Sequence, residues 1–119
     1  MSDYKRFSVI DQAGVTVLRL NDPRMSDALE ITELENELLD LISEQKPKNL
    51  LINYEVVTHC STAVINGMLR AKKRMETEGG GFAMCEMRPI IREAYQILNL
   101  DGTVFQIFET QHEAVDHFG

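Results

Sequence analysis

The spacing of apolar residues changes period several times along this chain, and each change marks the boundary of a predicted strand or helix. Phe7-Ser8-Val9-Ile10 and Val15-Thr16-Val17-Leu18-Arg19-Leu20 are β-rich runs separated by the turn residues Asp11-Gln12-Ala13-Gly14, which predicts an N-terminal hairpin. Beyond the breaker Asn21-Asp22-Pro23-Arg24 the period lengthens. Asp27 stands three residues before Glu30 in a capping-box arrangement, and Ile31, Leu34, Leu38, Leu41 and Ile42 recur at helical spacing. An amphipathic helix is therefore expected to stop near Gln45-Lys46-Pro47, because proline disfavours helix in the residue before it.

The run Leu50-Leu51-Ile52-Asn53-Tyr54-Glu55-Val56-Val57 predicts a buried strand. It feeds through Thr58-His59-Cys60-Ser61-Thr62 into a helix with Val64, Met68, Ala71 and Met75 on one face, which Gly79-Gly80-Gly81 stops. Phe82 to Met87 reads as a short buried strand, and Pro89 suits the first turn of a helix carried by Ile90, Ile91, Ala94 and Leu98. Asp101-Gly102 breaks that pattern, Val104 to Phe108 predicts a last strand, and residues 110–118 predict a terminal helix through Ala114, Val115 and Phe118. The order ββαβαβαβα implies an α/β fold: a small mixed β-sheet, with the hairpin as its antiparallel part and parallel strands elsewhere, and about four helices.

Composition narrows the function classes. With 119 residues, 44% apolar and 26% charged, residues 1–119 are expected to form one domain with an ordinary core, and no apolar run approaches the roughly 20 residues that span a bilayer. The start Met1-Ser2-Asp3-Tyr4-Lys5-Arg6 carries no apolar signal-peptide core, and Cys60 and Cys85 lie far apart, so a reduced, cytoplasmic protein without disulfides is expected. A net charge of -7 argues against nucleic acid as a partner, and the cluster Arg70, Lys72, Lys73 and Arg74 reads as the solvated face of a helix. His59, His112 and His117 have no metal-site spacing beside the two cysteines. Gly79-Gly80-Gly81 ends a helix and precedes a strand, the reverse of a phosphate-cradling loop. Neither a metal, a cofactor nor a membrane contact is expected.

In parallel sheets functional residues collect in loops beyond the carboxyl ends of the strands, where Thr58 to Thr62 are placed. Ser61 is predicted to cap the following helix, its hydroxyl oxygen accepting from an N–H two or three residues on, an interaction worth about 1 kcal/mol. The same position would let a phosphoserine rest on those N–H groups. Cys60 beside His59 has the residue types of a nucleophile and base, yet neighbours on a strand point apart and no acidic group stands near in sequence to orient the imidazole. Cys85 reads as a core residue.

Over almost its full length the chain resembles the STAS domain, the sulphate-transporter and anti-sigma-factor-antagonist family. The family's strand that ends in Asp-Ser-Ser-Gly and enters a helix is similar to Tyr54 to Met68, with Ser61 on the family's phosphorylated serine. Gly79-Gly80-Gly81-Phe82 resembles its later Gly-Gly strand. Arg88-Pro89-Ile90-Ile91-Arg92, Leu98-Asn99-Leu100, Val104-Phe105 and Ile107 resemble its closing elements, and Asp27 matches the acidic position at the start of its first helix. His59 stands for the motif's Asp, Cys60 for its first Ser and Thr62 for its Gly, so Ser61 alone of the four is kept.

The resemblance implies a non-enzymatic regulator of transcription, similar to an anti-sigma factor antagonist. It would bind an anti-sigma factor or serine kinase of that type through Asp27, His59, Cys60, Ser61 and Thr62, and be switched by phosphorylation of Ser61, with Thr62 as the alternative acceptor. A second reading keeps the fold without phosphorylation, as a scaffold that assembles with other STAS domains in a signalling complex. A third is an enzyme using Cys60.

Overall fold

The computed structural model describes residues 4–119; Met1-Ser2-Asp3, the start of the polar N-terminus, lies outside the described residues. The chain forms β1 (Phe7–Gln12), β2 (Val15–Leu20), β3 (Arg24–Met25), α1 (Ala28–Gln45), β4 (Asn49–Asn53) and β5 (His59–Cys60). It continues with α2 (Thr62–Thr77), β6 (Gly81–Cys85), α3 (Pro89–Ile97), β7 (Ile107–Phe108) and α4 (Gln111–Phe118). The main sheet has the order β1-β2-β4-β6-β7, antiparallel only between β1 and β2. This is the small mixed α/β fold with an N-terminal hairpin, parallel strands and, among the described residues, four helices.

Local chemistry accounts for the frame. The hairpin closes with Ala13 and Gly14 both at positive φ (53° and 85°), the backbone that a two-residue turn between right-twisted strands requires. Alternation along β4 sends Leu50 and Ile52 to the cluster shared with α1, α2 and α3, and Leu51 to the cluster under Ala114 and Val115 of α4. Ile31, Leu34, Leu38, Leu41 and Ile42 all face the core from α1, as do Val64, Met68, Ala71 and Met75 from α2. Gly80 is required where it stands, since a Cβ there would lie 2.9 Å from the Lys48 carbonyl oxygen. Among the described residues no helix is long and apolar enough to cross a membrane.

The structure departs from the periodic reading in four places. First, β4 ends at Asn53 rather than Val57, because the Asn53 side-chain oxygen accepts from Glu55 N (2.8 Å) and turns the chain. Second, β6 stops at Cys85, because Glu86 takes a left-handed backbone (φ 59°). Third, the last strand is confined to Ile107–Phe108. Phe105 N donates to Leu100 O and Gly102 N to Phe105 O (both 2.8 Å), which holds Val104 and Phe105 in a turn. Fourth, α3 is rotated from its expected face. Ile91 and Tyr95 are its buried residues, whereas Ile90 is 69% exposed and Leu98, which caps the helix end, is 47% exposed. Arg92 fixes that rotation by donating to Asp101 and Glu109 (both 2.9 Å) and to Ile107 O (3.2 Å).

The short strands β3 and β5 pair in parallel, Arg24 with His59 and Met25 with Cys60. Two residues are too few to show a period, so the sequence reads these stretches only as a breaker and a loop.

Candidate functional site

The β3–β5 pair builds the site. Thr58 N and His59 N both donate to Pro23 O (2.7 and 3.1 Å), and Ser61 N donates to Met25 O (3.1 Å). The Thr58 hydroxyl oxygen lies 3.1 Å from both Pro23 O and His59 Nδ1. These bonds hold the segment before α2 against the segment before α1, and α3 forms the opposite wall. Between them lies an open groove of about 340 Å³, lined by Ser26, Thr58, His59, Cys60, Ser61 and, from α3, Ile90, Ile91 and Ala94.

Side chains along the extended β5 alternate. His59 is exposed, and Cys60 turns inward against the core, its Sγ 3.7 Å from Ser61 O. Burial pushes the Cys60 thiol up to about 12. The Cys85 thiol is also raised to about 12, by burial first and then by the carboxylates of Glu86 and Glu55. A thiol held protonated is a poor nucleophile, which weighs against the reading of Cys60 as one.

Two expected results follow. At pH 8 a mild alkylating reagent should label Cys60 and Cys85 equally slowly in the folded protein; rapid, selective labelling of Cys60 would reinstate the nucleophile. Both thiols keep their protons above the usual value of 9.0, so the folded state binds more protons than the unfolded chain from about pH 9 to 12. Unfolding measured across that window should show stability falling as pH rises.

Ser61 is the N-cap of α2 by backbone geometry (φ -84°, ψ 163°), but its side chain makes no capping bond. The predicted hydroxyl cap is therefore absent. The Ser61 carbonyl instead accepts from Val64 N and Ile65 N (3.1 and 3.4 Å), while Oγ is buried with no hydrogen-bond partner among the described residues. Thr62, the first residue of α2, is exposed.

Asp27 caps α1, its Oδ1 accepting from Leu29 N (2.9 Å) and Glu30 N (3.1 Å). The other half of the capping box does not form, because Glu30 accepts from Arg6 Nη1 (3.1 Å). The structure thus brings His59, Cys60 and Ser61 into one groove. Asp27 stands one residue beyond the lining Ser26, and Thr62 one residue beyond the lining Ser61. Ser26, Ile90, Ile91 and Ala94 join the site without having been singled out for it, while Thr58 is read from the sequence only as the first residue of the loop. Only the phase of α3 could have found Ile90, and that phase is set by contacts with distant residues.

Under the groove, Tyr54 at the end of β4 and Tyr95 of α3 are fully buried, with their hydroxyl oxygens 2.7 Å apart. Burial raises both phenols well above their ordinary range. Elsewhere three of the four residues of the basic run are tied to neighbours within the protein: Arg70 forks onto Glu35 (2.5 Å for each bond), Lys72 pairs with Glu76 (3.0 Å), and Arg74 donates to the Ser43 hydroxyl (2.9 Å).

The family model of the STAS domain matches residues 5–114. The chain belongs to the STAS domain family. A similar solved structure is an anti-sigma-factor antagonist (STAS) domain protein from Planctomyces limnophilus, 25% identical with a TM-score of 0.83, over 95% of this chain and 97% of that one. An anti-sigma factor antagonist from Mycobacterium paratuberculosis is 21% identical at a TM-score of 0.79, over 93% and 91%. The Bacillus cell fate determinant SpoIIAA in its phosphorylated form is 18% identical at a TM-score of 0.70, over 95% and 99%. Among curated proteins none matches. In this STAS domain Ser61 stands at the β5–α2 junction, at the start of the helix.

Proposed function

We propose that residues 1–119 act as a single, non-enzymatic STAS regulatory domain in the cytoplasm, similar to an anti-sigma factor antagonist. It docks an anti-sigma-type serine kinase or related protein at the Ser61 groove and is released when Ser61 is phosphorylated. The observation that carries this reading is the juxtaposition of Ser61, at the N-terminus of α2, with the exposed apolar side chain of Ile90 across one groove. Phosphoryl transfer would join Ser61 Oγ to the γ-phosphorus of ATP and break the bond to the β-phosphate bridging oxygen. ADP leaves with that electron pair, and the hydroxyl proton passes to a base on the kinase. About two negative charges would then stand at an apolar contact, a cost of roughly 1–3 kcal/mol or a 5- to 150-fold loss of affinity. Asp27, His59, Cys60 and Thr62 form the rim of the contact. The likeness to a relative described as an anti-sigma-factor antagonist, and to SpoIIAA solved in its phosphorylated form, supports the reading.

The unphosphorylated scaffold reading, with other STAS domains as partners, draws on one observation, the burial of Ser61 Oγ. Incubation with ATP and the anti-sigma-type kinases of the same genome, followed by intact mass and site mapping, separates the two. A single phosphoryl gain on Ser61 is expected; no gain on Ser61 or Thr62 with any of these kinases would favour the scaffold.

A further inference from the structure

β1 ends the main sheet, and one of its two edges is open. Asn21 N donates to Arg6 O (3.0 Å), and the pairing with β2 runs from Phe7 with Leu20 to Gln12 with Val15 without a bulge. Facing residues of an antiparallel pair are hydrogen-bonded alternately, so Ser8, Ile10 and Gln12 share the phase of Arg6 and bond to β2. The N–H and C=O groups of Phe7, Val9 and Asp11 point the other way, and none of them has a partner among the described residues. Native sheets blunt such an edge with a short strand, proline, lysine or a bulge. At the far end of this sheet β7 is two residues long, but β1 runs for six, Phe7–Gln12, with neither proline nor lysine. Of the large apolar residues left exposed among the described residues, Ile10 (56%) alone lies in a strand.

We propose that this edge pairs antiparallel with β1 of a second copy of the chain, joining two five-stranded sheets into one. A two-fold axis through Val9 sets it against Val9 of the second copy and sets Phe7 against Asp11, so every outward N–H and C=O of both strands is met. The register is specific. A shift of two residues leaves Phe7 or Asp11 of each strand unpaired, and a shift of one sets outward groups against groups already bonded to β2. Side chains agree with it. Ile10 comes opposite Ser8 of the second copy, which covers exposed apolar surface and sets the two Ile10 residues diagonally on one face. Asp11, whose Oδ1 accepts from Gly14 N (3.2 Å), comes within two residues of Lys5 of the second copy. Lys5 is exposed and has no ion pair among the described residues, so opposite charges flank the pairing at both ends. Three carboxylates of α1 near the start of β1 are already engaged, Glu30 and Glu33 by the Arg6 side chain and Glu37 by the Lys5 and Arg6 N–H groups.

The pairing does not depend on Ser61 or on a kinase, and the full chain tests it by sedimentation velocity and amide exchange. Raising the protein concentration from about 10 μM to about 1 mM converts monomer to dimer and slows exchange at Phe7, Val9 and Asp11 about tenfold. Ser8, Ile10 and Gln12, already bonded to β2, change little. Ile10→Lys alters a side chain exposed in the monomer, so it keeps the wild-type melting temperature. It sets like charges diagonally across the two strands and raises the concentration needed for dimer about tenfold. The proposal is overturned if the chain stays monomeric over that range, or if a dimer forms without the alternation in exchange. It is equally overturned if Ile10→Lys dimerises as readily as wild type.

Discussion

Tyr95→Ala is expected to cost this STAS domain about 3–5 kcal/mol of unfolding free energy, measured by urea denaturation. The Tyr95 ring is fully buried and meets the edges of two others, Tyr54 at 6.2 Å and 89° and Phe105 at 5.5 Å and 76°. Truncation would open a cavity in the part of the core that supports α3, and it would also strip the Tyr54 hydroxyl of its partner at 2.7 Å.

Tyr95→Phe isolates the second effect. It keeps the ring contacts and leaves one buried hydroxyl unmet, for an expected loss of about 1–3 kcal/mol. Adding Tyr54→Phe should then cost little more, because the orphaned group goes with it. A double-mutant cycle reads this as a favourable coupling; strictly additive losses would show that the hydroxyl pair contributes nothing of its own. The pair matters to the site because it joins the end of β4, where the Ser61 loop begins, to the helix that forms the opposite wall. Loss of either ring should therefore loosen the groove as well as the core.

Ile90→Asp should leave stability within about 0.5 kcal/mol of wild type, since the side chain is 69% exposed. It should nevertheless weaken binding of the proposed kinase partner by about 30-fold, the loss expected when a central apolar anchor is removed from an interface. Ile97 serves as the comparison. It is 72% exposed on the same helix but does not line the groove, so Ile97→Asp should bind like wild type. Calorimetric titration of both variants distinguishes a docking groove from general stickiness of α3. Equal losses would extend the contact along the helix, and an unchanged affinity for Ile90→Asp would remove the groove as the docking surface. In the same titration Ser61→Asp should bind more weakly than Ser61→Ala, because only the former places charge beside Ile90.

Much of the fold was legible in the order of residues because its signals are local. α1 and α2 present their apolar faces at the spacing read from Ile31 to Ile42 and from Val64 to Met75, and the hairpin turn needs only Ala13 and Gly14 at positive φ. Ser61 could be placed at a helix start by the same local rules. What lay beyond them depended on partners remote in sequence.

By itself, then, the sequence determined the alternation of elements, the family resemblance and the position of Ser61 at the head of α2. Tertiary structure alone decided three further matters. The pairing of β3 with β5 rests on contacts such as Thr58 with Pro23, 35 residues apart, and no local period encodes it. The rotation of α3, which buries Tyr95 and exposes Ile90, is fixed by Tyr54 below and by Asp101 and Glu109 around Arg92. The third is the burial of Ser61 Oγ in place of the capping bond that a serine at a helix start would otherwise make. Burial and hydrogen bonding by distant segments settle such choices, because they determine which side of the helix is left facing water.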